Sequence, residues 1–369
     1  MANVLMRHTV GCVIFRQTAG NNLIAYYRLA LSQKRATHGA FIHRQLFGQP
    51  PVVSPKDADL FGKTAVVTGS NTGIGFKCCR QLLDLGLSKL IIAVRKPEKG
   101  EEAKSQLLTS ILETKCQIEV RKLDLSSYDS ILAFVEYAKG LNRLDIVVNN
   151  AGLLKRTFEL DPHTGHEESI QVNHLGNSLL LVLLIPVLQS KNTSSHPGRL
   201  CFVNSDTPSW AKFKERDSIP LLPAFDKREN FLFDDRYPTS KLLGQLFLKE
   251  LASRVPASAV VINCCNPGLC RSGLDRELRG SFLGYLASIM QFFLARTPSV
   301  GARSLTDAVV NHGEKSHGQY IEDGEVVPMA PFVYSPEGEK IAKQLWQETI
   351  DELAFAGVAD IINSCSESK

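Results

Sequence analysis

The sequence predicts an α/β fold, a single doubly wound parallel sheet (Rossmann-type) with helices on both faces. Two observations predict it. Short apolar runs rich in valine and isoleucine alternate with segments of helical periodicity along most of the chain. The first run, residues 64–68, leads directly into Gly-Ser-Asn-Thr-Gly-Ile-Gly and then a helical pattern, which is the strand, turn and helix of a βαβ unit.

In chain order, strands are expected at residues 64–68, 89–94, 118–123, 144–148, 199–203, 258–264 and 318–321. Helices are expected at 76–85, ending at Gly86, at 98–112, 130–138, about 167–188 and 337–353, with one more carrying Tyr237 and Lys241. Residues 179–188 are apolar all round, so that half of its helix belongs in the core or in a subunit contact. A long polar segment containing proline separates the fifth and sixth strands. Residues 56–369 are expected to form the one folded domain. Residues 1–55 form an N-terminal extension, expected to be poorly ordered or to serve in organellar targeting.

A chain of 369 residues with 44% hydrophobic and 22% charged residues reads as globular. Its formal charge is +4, but Arg7, Arg16, Arg28, Lys34, Arg35, Arg44 and Lys56 all precede the first acid, Asp57. Without those seven, 35 basic residues face 38 acidic ones, so nothing points to nucleic acid. Nine cysteines, with no Cys-x-x-Cys pair, read as reduced, buried thiols of an intracellular, cytoplasmic protein. No His/Cys cluster has metal-ligand spacing, and no transmembrane span is expected.

The chemistry starts at the glycine turn. Gly69, Gly73 and Gly75 follow the first strand and open the first helix, where glycine lets the backbone approach a pyrophosphate held at the helix N-terminus. The second strand ends in Ala93-Val94-Arg95 with no acid to bind a ribose 2′-hydroxyl, which favours NADP with Arg95 on the 2′-phosphate. Asp124, closing the third strand, is placed to accept from the adenine amino group. Tyr237 and Lys241 stand one helical turn apart and share a face. A phenol beside an ammonium is a tunable acid, suited to proton transfer as a carbonyl becomes an alcohol. Pro238 lacks an N–H and restricts the residue before it, which puts Tyr237 at the start of its helix, as the N-cap or just outside.

These motifs resemble those of the short-chain dehydrogenase/reductase family. The matching residues are Thr68 to Gly75, Asp124-Leu125, Asn149 to Gly152, Val172-Asn173, Ser205, Tyr237 to Lys241 and Asn266-Pro267-Gly268, in the family's order over about residues 60–275. The tail looks like the retinol-dehydrogenase and WW-domain-oxidoreductase branch, and residues 41–51 look like fungal members that tailor natural products. The resemblance implies that Tyr237 is the proton donor, that Lys241 lowers its pKa and binds the nicotinamide ribose, that Ser205 holds the substrate oxygen, and that Asn173 anchors a proton-relaying water. It also implies that Asn71, Ile74, Asn150 and Gly152 line the cofactor and that Pro267, Gly268 and Ser272 meet its nicotinamide end.

Residues 281–295, within about 270–300, are expected to form an apolar lid, implying a hydrophobic carbonyl or alcohol as substrate. The expected function is an NADP-dependent carbonyl–alcohol oxidoreductase in fungal polyketide or terpenoid biosynthesis. A retinol- or steroid-like alcohol dehydrogenase and a non-catalytic dinucleotide-binding regulator are the alternatives, and a homo-oligomer is left open.

Overall fold

The computed structural model describes residues 25–110, 116–271 and 293–367. Its strands are β1 (Thr64–Thr68), β2 (Lys89–Val94), β3 (Gln117–Lys122), β4 (Ile146–Asn149), β5 (Gly198–Val203), β6 (Val260–Asn266), β7 (Tyr320–Glu322) and β8 (Glu325–Val327). They form one sheet in the order β3-β2-β1-β4-β5-β6-β7-β8, parallel except for the final hairpin, in which β8 runs antiparallel to β7. Strand β8 is an element the sequence reading lacks. It is three residues long, Glu325-Val326-Val327, and largely exposed, too short to show a strand period.

The labelled helices are α1 (His38–Phe47), α2 (Gly73–Asp84), α3 (Pro97–Ser110), α4 (Tyr128–Lys139), α5 (Glu168–Lys191), α6 (Phe233–Arg254), α7 (Pro298–Val310), α8 (Pro336–Glu352) and α9 (Val358–Glu367). Alternation along the strands sorts side chains between two cores. Val66, Ile91, Val147, Leu200 and Ile262 face the larger core with α4, α5, α6 and α8. Ala65, Val67, Ile92, Val148 and Cys265 face the smaller one with α2 and α7. Strands β1, β4 and β6 are buried throughout, which explains their continuous apolar runs. Cys78, Cys79, Cys201, Cys264 and Cys265 are buried core residues.

Helix α5 is long and apolar enough to cross a membrane, yet 89% of its apolar window is buried inside the protein. Residues Gln171–Gly176 within it take π-helical form. That widened turn holds His174, which is 1% exposed and has Nε2 2.9 Å from Thr349 Oγ1. Burial, aided by the nearby His166, lowers the His174 pKa to about 3. The unfolded chain takes up this proton near pH 6.5, whereas the folded chain refuses it until about pH 3. Stability is therefore full above pH 6.5 and falls on acidification by up to about 1.4 kcal/mol per pH unit. Urea unfolding of His174→Gln between pH 4.5 and 6.5 is expected to show a slope shallower by about that amount. Parallel curves for the two proteins would remove His174 as the cause.

Two expectations need correction. Residues 25–55 are not a loose extension where the structure describes them: residues 25–35 are helical, and α1 follows, capped by Thr37, whose Oγ1 accepts from Ala40 N at 3.2 Å. Trp210 Nε1 donates to Ala36 O at 2.7 Å and stacks with His38 at 5.2 Å between ring centres, so partners far along the sequence hold this segment in place. Residues 1–24, where targeting was expected, lie outside the described residues. Helix α6 begins at Phe233, a turn before Tyr237, and Pro238 lies inside it. The missing proline N–H is offset by tertiary anchoring of the first turn: Asp235 accepts from Lys212 N at 2.6 Å and from Phe213 N at 3.1 Å.

Candidate active site

The chain order of the sheet reverses between β1 and β4, and the carboxyl ends of the strands there open the crevice typical of this architecture. Gly69 and Gly73 take φ of +61° and +62°, conformations other residues rarely adopt. A Cβ on Gly69 would lie 3.0 Å from Ala151 Cα, and one on Gly75 2.6 Å from Asn150 Nδ2; over Gly73 there is open space. Asn150 Nδ2 donates to Thr68 O at 2.9 Å, and Ala151 N to Thr68 Oγ1 at 2.8 Å. The Asn149-to-Gly152 segment thus braces the glycine turn. Thr72 gives the N-terminus of α2 no side-chain cap, so its amides stay available to phosphate oxygens. A dinucleotide fits this cradle.

The flanking candidates take their places around it. Asn71 is half-buried in the turn, and Ile74 packs against the smaller core. Arg95 is exposed at the end of β2. Asp124 closes β3 and spends one carboxylate oxygen on its own turn, accepting from Ser126 Oγ at 2.8 Å and Ser126 N at 3.1 Å.

Three side chains meet at α6. Asn173, fully buried in the π-helical turn, donates through Nδ2 to Leu153 O at 2.8 Å and to Ser240 Oγ at 3.0 Å; its Oδ1 accepts from Leu153 N at 2.9 Å. Ser240 Oγ in turn donates to Tyr237 O at 2.8 Å. Asn173 therefore ties the Gly152 loop to the backbone that carries Tyr237. A Cβ on Gly152 would lie 3.0 Å from Asn173 Oδ1 and 3.5 Å from Lys241 Nζ, so a side chain here would press on the buried Asn173 amide. Lys241 is 3% exposed and donates from Nζ to Val203 O at 2.9 Å, leaving two donors for another partner.

Burial lowers the Lys241 pKa to about 8, so the ammonium stays charged at neutral pH. The expected lowering of the phenol pKa is not found. Burial first, then the Asp206 carboxylate, push Tyr237 well above the usual range. The physical reason is distance and direction: Lys241 Nζ lies 5.8 Å from the Tyr237 ring centre and points its hydrogen bond at Val203. Ser205 lies in the turn that follows β5. Its Oγ donates to Asp206 Oδ1 at 3.4 Å and accepts from Thr207 N at 3.2 Å, and no hydrogen bond joins it to Tyr237.

At the end of β6, Pro267 is buried and Gly268 has φ of +74°; its N–H donates to Asn266 Oδ1 at 2.9 Å. A Cβ on Gly268 would strike Gln45 Oε1 at 2.5 Å, so α1 touches this turn. Ser272 and nearly all of the expected lid lie outside the described residues. The chain enters and leaves that segment side by side, with Arg271 N donating to Arg296 O at 2.9 Å.

Site neighbours missed by sequence reasoning are Asp206, Asn204 and Glu322. Asn204 Nδ2 donates to Lys241 O at 3.0 Å and its Oδ1 accepts from Ser205 N at 2.8 Å, linking the ends of β5 and α6. Adjacency to Ser205 was the one signal available for Asn204 and Asp206.

Comparison with known proteins decides the family. Residues 63–211 match the family model for short chain dehydrogenase. The chain is 46% identical over 340 residues to the short-chain dehydrogenase fogG of Aspergillus ruber, covering 91% of this chain and 97% of that one. The chain belongs to the short-chain dehydrogenase family. Within this family of oxidoreductases, the short chain dehydrogenase/reductase mfmJ of Annulohypoxylon moriforme is 41% identical, over 87% of this chain and 93% of its own. Among solved structures, an uncharacterised protein from Mycobacterium paratuberculosis shares the fold at a TM-score of 0.59 and 24% identity, covering 82% of this chain and 98% of that one. The Pseudomonas aeruginosa RhlG/NADP active-site complex does so at 0.54 and 23%, covering 74% and 98%. As a short-chain dehydrogenase, the protein binds a nicotinamide dinucleotide and acts on a small molecule.

Proposed function

We propose that this short-chain dehydrogenase uses NADP to interconvert a carbonyl and an alcohol on a hydrophobic small molecule, as a tailoring step in fungal secondary-metabolite biosynthesis, working in the cytoplasm. The observation that carries the reading is that Tyr237 and Lys241 stand one turn apart on α6, with Nζ 5.8 Å from the ring centre, beside the Gly152 loop. The buried, reduced thiols support the compartment, and the fungal relatives support the biosynthetic setting.

When bound, the reduced dinucleotide supplies a hydride, two electrons and a proton's mass, to the carbonyl carbon. Tyr237 gives its hydroxyl proton to the carbonyl oxygen, so a C–H and an O–H bond form as the C=O π bond is lost. A phenol that carries its proton at neutral pH, as Tyr237 does, is the form this direction requires. Lys241, charged below about pH 8, holds the ribose with the two donors that its bond to Val203 O leaves over. Ser205, by turning its Oγ from Asp206, donates to the developing alkoxide. Asn173 would hold a water on the proton path to Lys241 while fixing the Gly152 loop. Asn71, Ile74, Asn150, Gly152, Pro267, Gly268 and Ser272 line the dinucleotide, with Asp124 toward the adenine.

The preference for NADP rests on Arg95. It stands at the end of β2 with its charge free of any acid partner among the described residues. Arg95→Glu is expected to weaken NADPH about tenfold or more while leaving NADH within about threefold, read by fluorescence titration. Equal effects on both would move the 2′-phosphate contact elsewhere. The function itself is tested by NADPH consumption across a panel of hydrophobic ketones; silence across the panel, with NADPH bound, would favour a non-catalytic role.

A further inference from the structure

The helical segment at residues 25–48 sends two arginines into the end of the site. Arg44 is 15% exposed, and its Nε lies 3.1 Å from Glu322 Oε2 while its Nη2 lies 3.9 Å from Asp206 Oδ2. Arg35 pairs with the same Glu322 carboxylate, and Arg44 Nη1 donates to Arg35 O at 2.9 Å. Glu322, 5% exposed, also accepts from Asn266 Nδ2 at 2.8 Å through Oε1. A single half-buried charge cluster thus touches two segments of the site: the Ser205-Asp206 turn after β5, and the Asn266-Pro267-Gly268 turn after β6. Gln45 adds a second clamp, accepting from Leu269 N at 3.0 Å and donating to Leu269 O at 3.1 Å. A cavity of about 20 Å³, large enough for one water, lies among Ser205, Asp206, Arg35, Arg44 and Glu322.

We propose that the N-terminal helical segment is a working part of the active site, and that Arg44 is a positioning residue that holds Ser205 and the Pro267-Gly268 turn in place through Asp206 and Glu322. The proposal rests on the carbonyl-reductase reading above. Arg44 supplies what the enclosed carboxylates lack. Without it, Glu322 keeps Arg35 but Asp206 loses its basic partner, and two like charges in a confined space drive their segments apart or take up a proton. Asp206 already resists ionisation: burial and then Glu322 push it up to about 6, against the pull of Arg44. Asp206 is also the one charge that raises the Tyr237 phenol beyond the effect of burial, so its placement bears on the proton donor as well as on Ser205.

The test uses the full chain, with α-tetralone and NADPH as the probe pair. Arg44→Met is expected to lower kcat about tenfold or more while leaving the NADPH dissociation constant within about threefold, and Arg44→Lys is expected to recover most of the loss. Glu322→Gln, nearly the same shape, is expected to reproduce the Arg44→Met phenotype. Hydrogen exchange gives a readout free of turnover: in Arg44→Met the amides of 205–210 and 266–270 are expected to exchange about tenfold faster or more, with β1 and β4 unchanged. Unchanged exchange in both segments, or wild-type kcat in Arg44→Met, overturns the proposal. Wild-type protein that binds NADPH but turns over no ketone would instead count against the reductase reading, with the exchange data still deciding the role of Arg44.

Discussion

Tyr237→Phe is expected to reduce carbonyl turnover by about a thousandfold or more, with NADPH binding within about threefold of wild type. The substitution removes one oxygen and leaves the ring in place. The scaffold around it should hold, because the ties that locate this residue run through its backbone: Ser240 Oγ donates to Tyr237 O, and Asn173 reaches Ser240. Lys241 keeps its bond to Val203 O, so the ribose-binding donors are undisturbed. The loss would therefore appear in kcat. Initial rates with a hydrophobic ketone, set beside a fluorescence titration with NADPH, separate the two quantities. A variant as active as wild type would remove Tyr237 as the acid.

The second large effect belongs to its neighbour. Arg236 is 1% exposed on its side chain, with Nη2 3.0 Å from Glu215 Oε1 and Nε 3.5 Å from Glu167 Oε2; those carboxylates are 3% and 0% exposed. Its guanidinium lies 4.8 Å from the Phe225 ring centre and 5.5 Å from that of Phe231. One arginine thus fastens the long segment before α6 and the N-terminus of α5 to the turn that carries Tyr237. Burial pushes Glu167 and Glu215 upward and Arg236 pulls both back. Arg236→Met leaves two enclosed carboxylates unpaired, at a cost of about 3–5 kcal/mol. The unpaired acids can escape by protonation, so the loss should be greater at pH 8 than at pH 5. Thermal unfolding at the two pH values reads it, with a fall of roughly 5–10 °C at pH 8. An unchanged midpoint at pH 8 would mean that the ring contacts alone hold this junction.

The parts of this molecule that could be read from sequence are those whose cause is local. Strand β1 and the glycine turn announce themselves because Gly69 and Gly73 need positive φ within a few residues of an apolar run. Tyr237 and Lys241 are visible as a pair because one helical turn separates them. What escaped is held by partners distant in the chain. Arg35 and Glu322 are 287 residues apart, and Trp210 reaches back to Ala36, so the composition of residues 25–48 carries no sign that they dock on the site. The placement of Tyr237 inside α6 failed for the same reason. The proline rule is a local one, and the bonds from Lys212 and Phe213 to Asp235 outweigh it. The direction of the phenol shift likewise depends on Asp206 and on burial, which a motif does not encode.

The most direct test of hydride transfer follows the hydride itself. NADPH carrying deuterium at the transferable position of its dihydronicotinamide ring, incubated with the protein and a hydrophobic ketone, is expected to give an alcohol with one deuterium on the former carbonyl carbon, and none of that product with Tyr237→Phe. An alcohol without deuterium, or deuterated alcohol formed as fast by the variant, would contradict a hydride reaction completed by Tyr237.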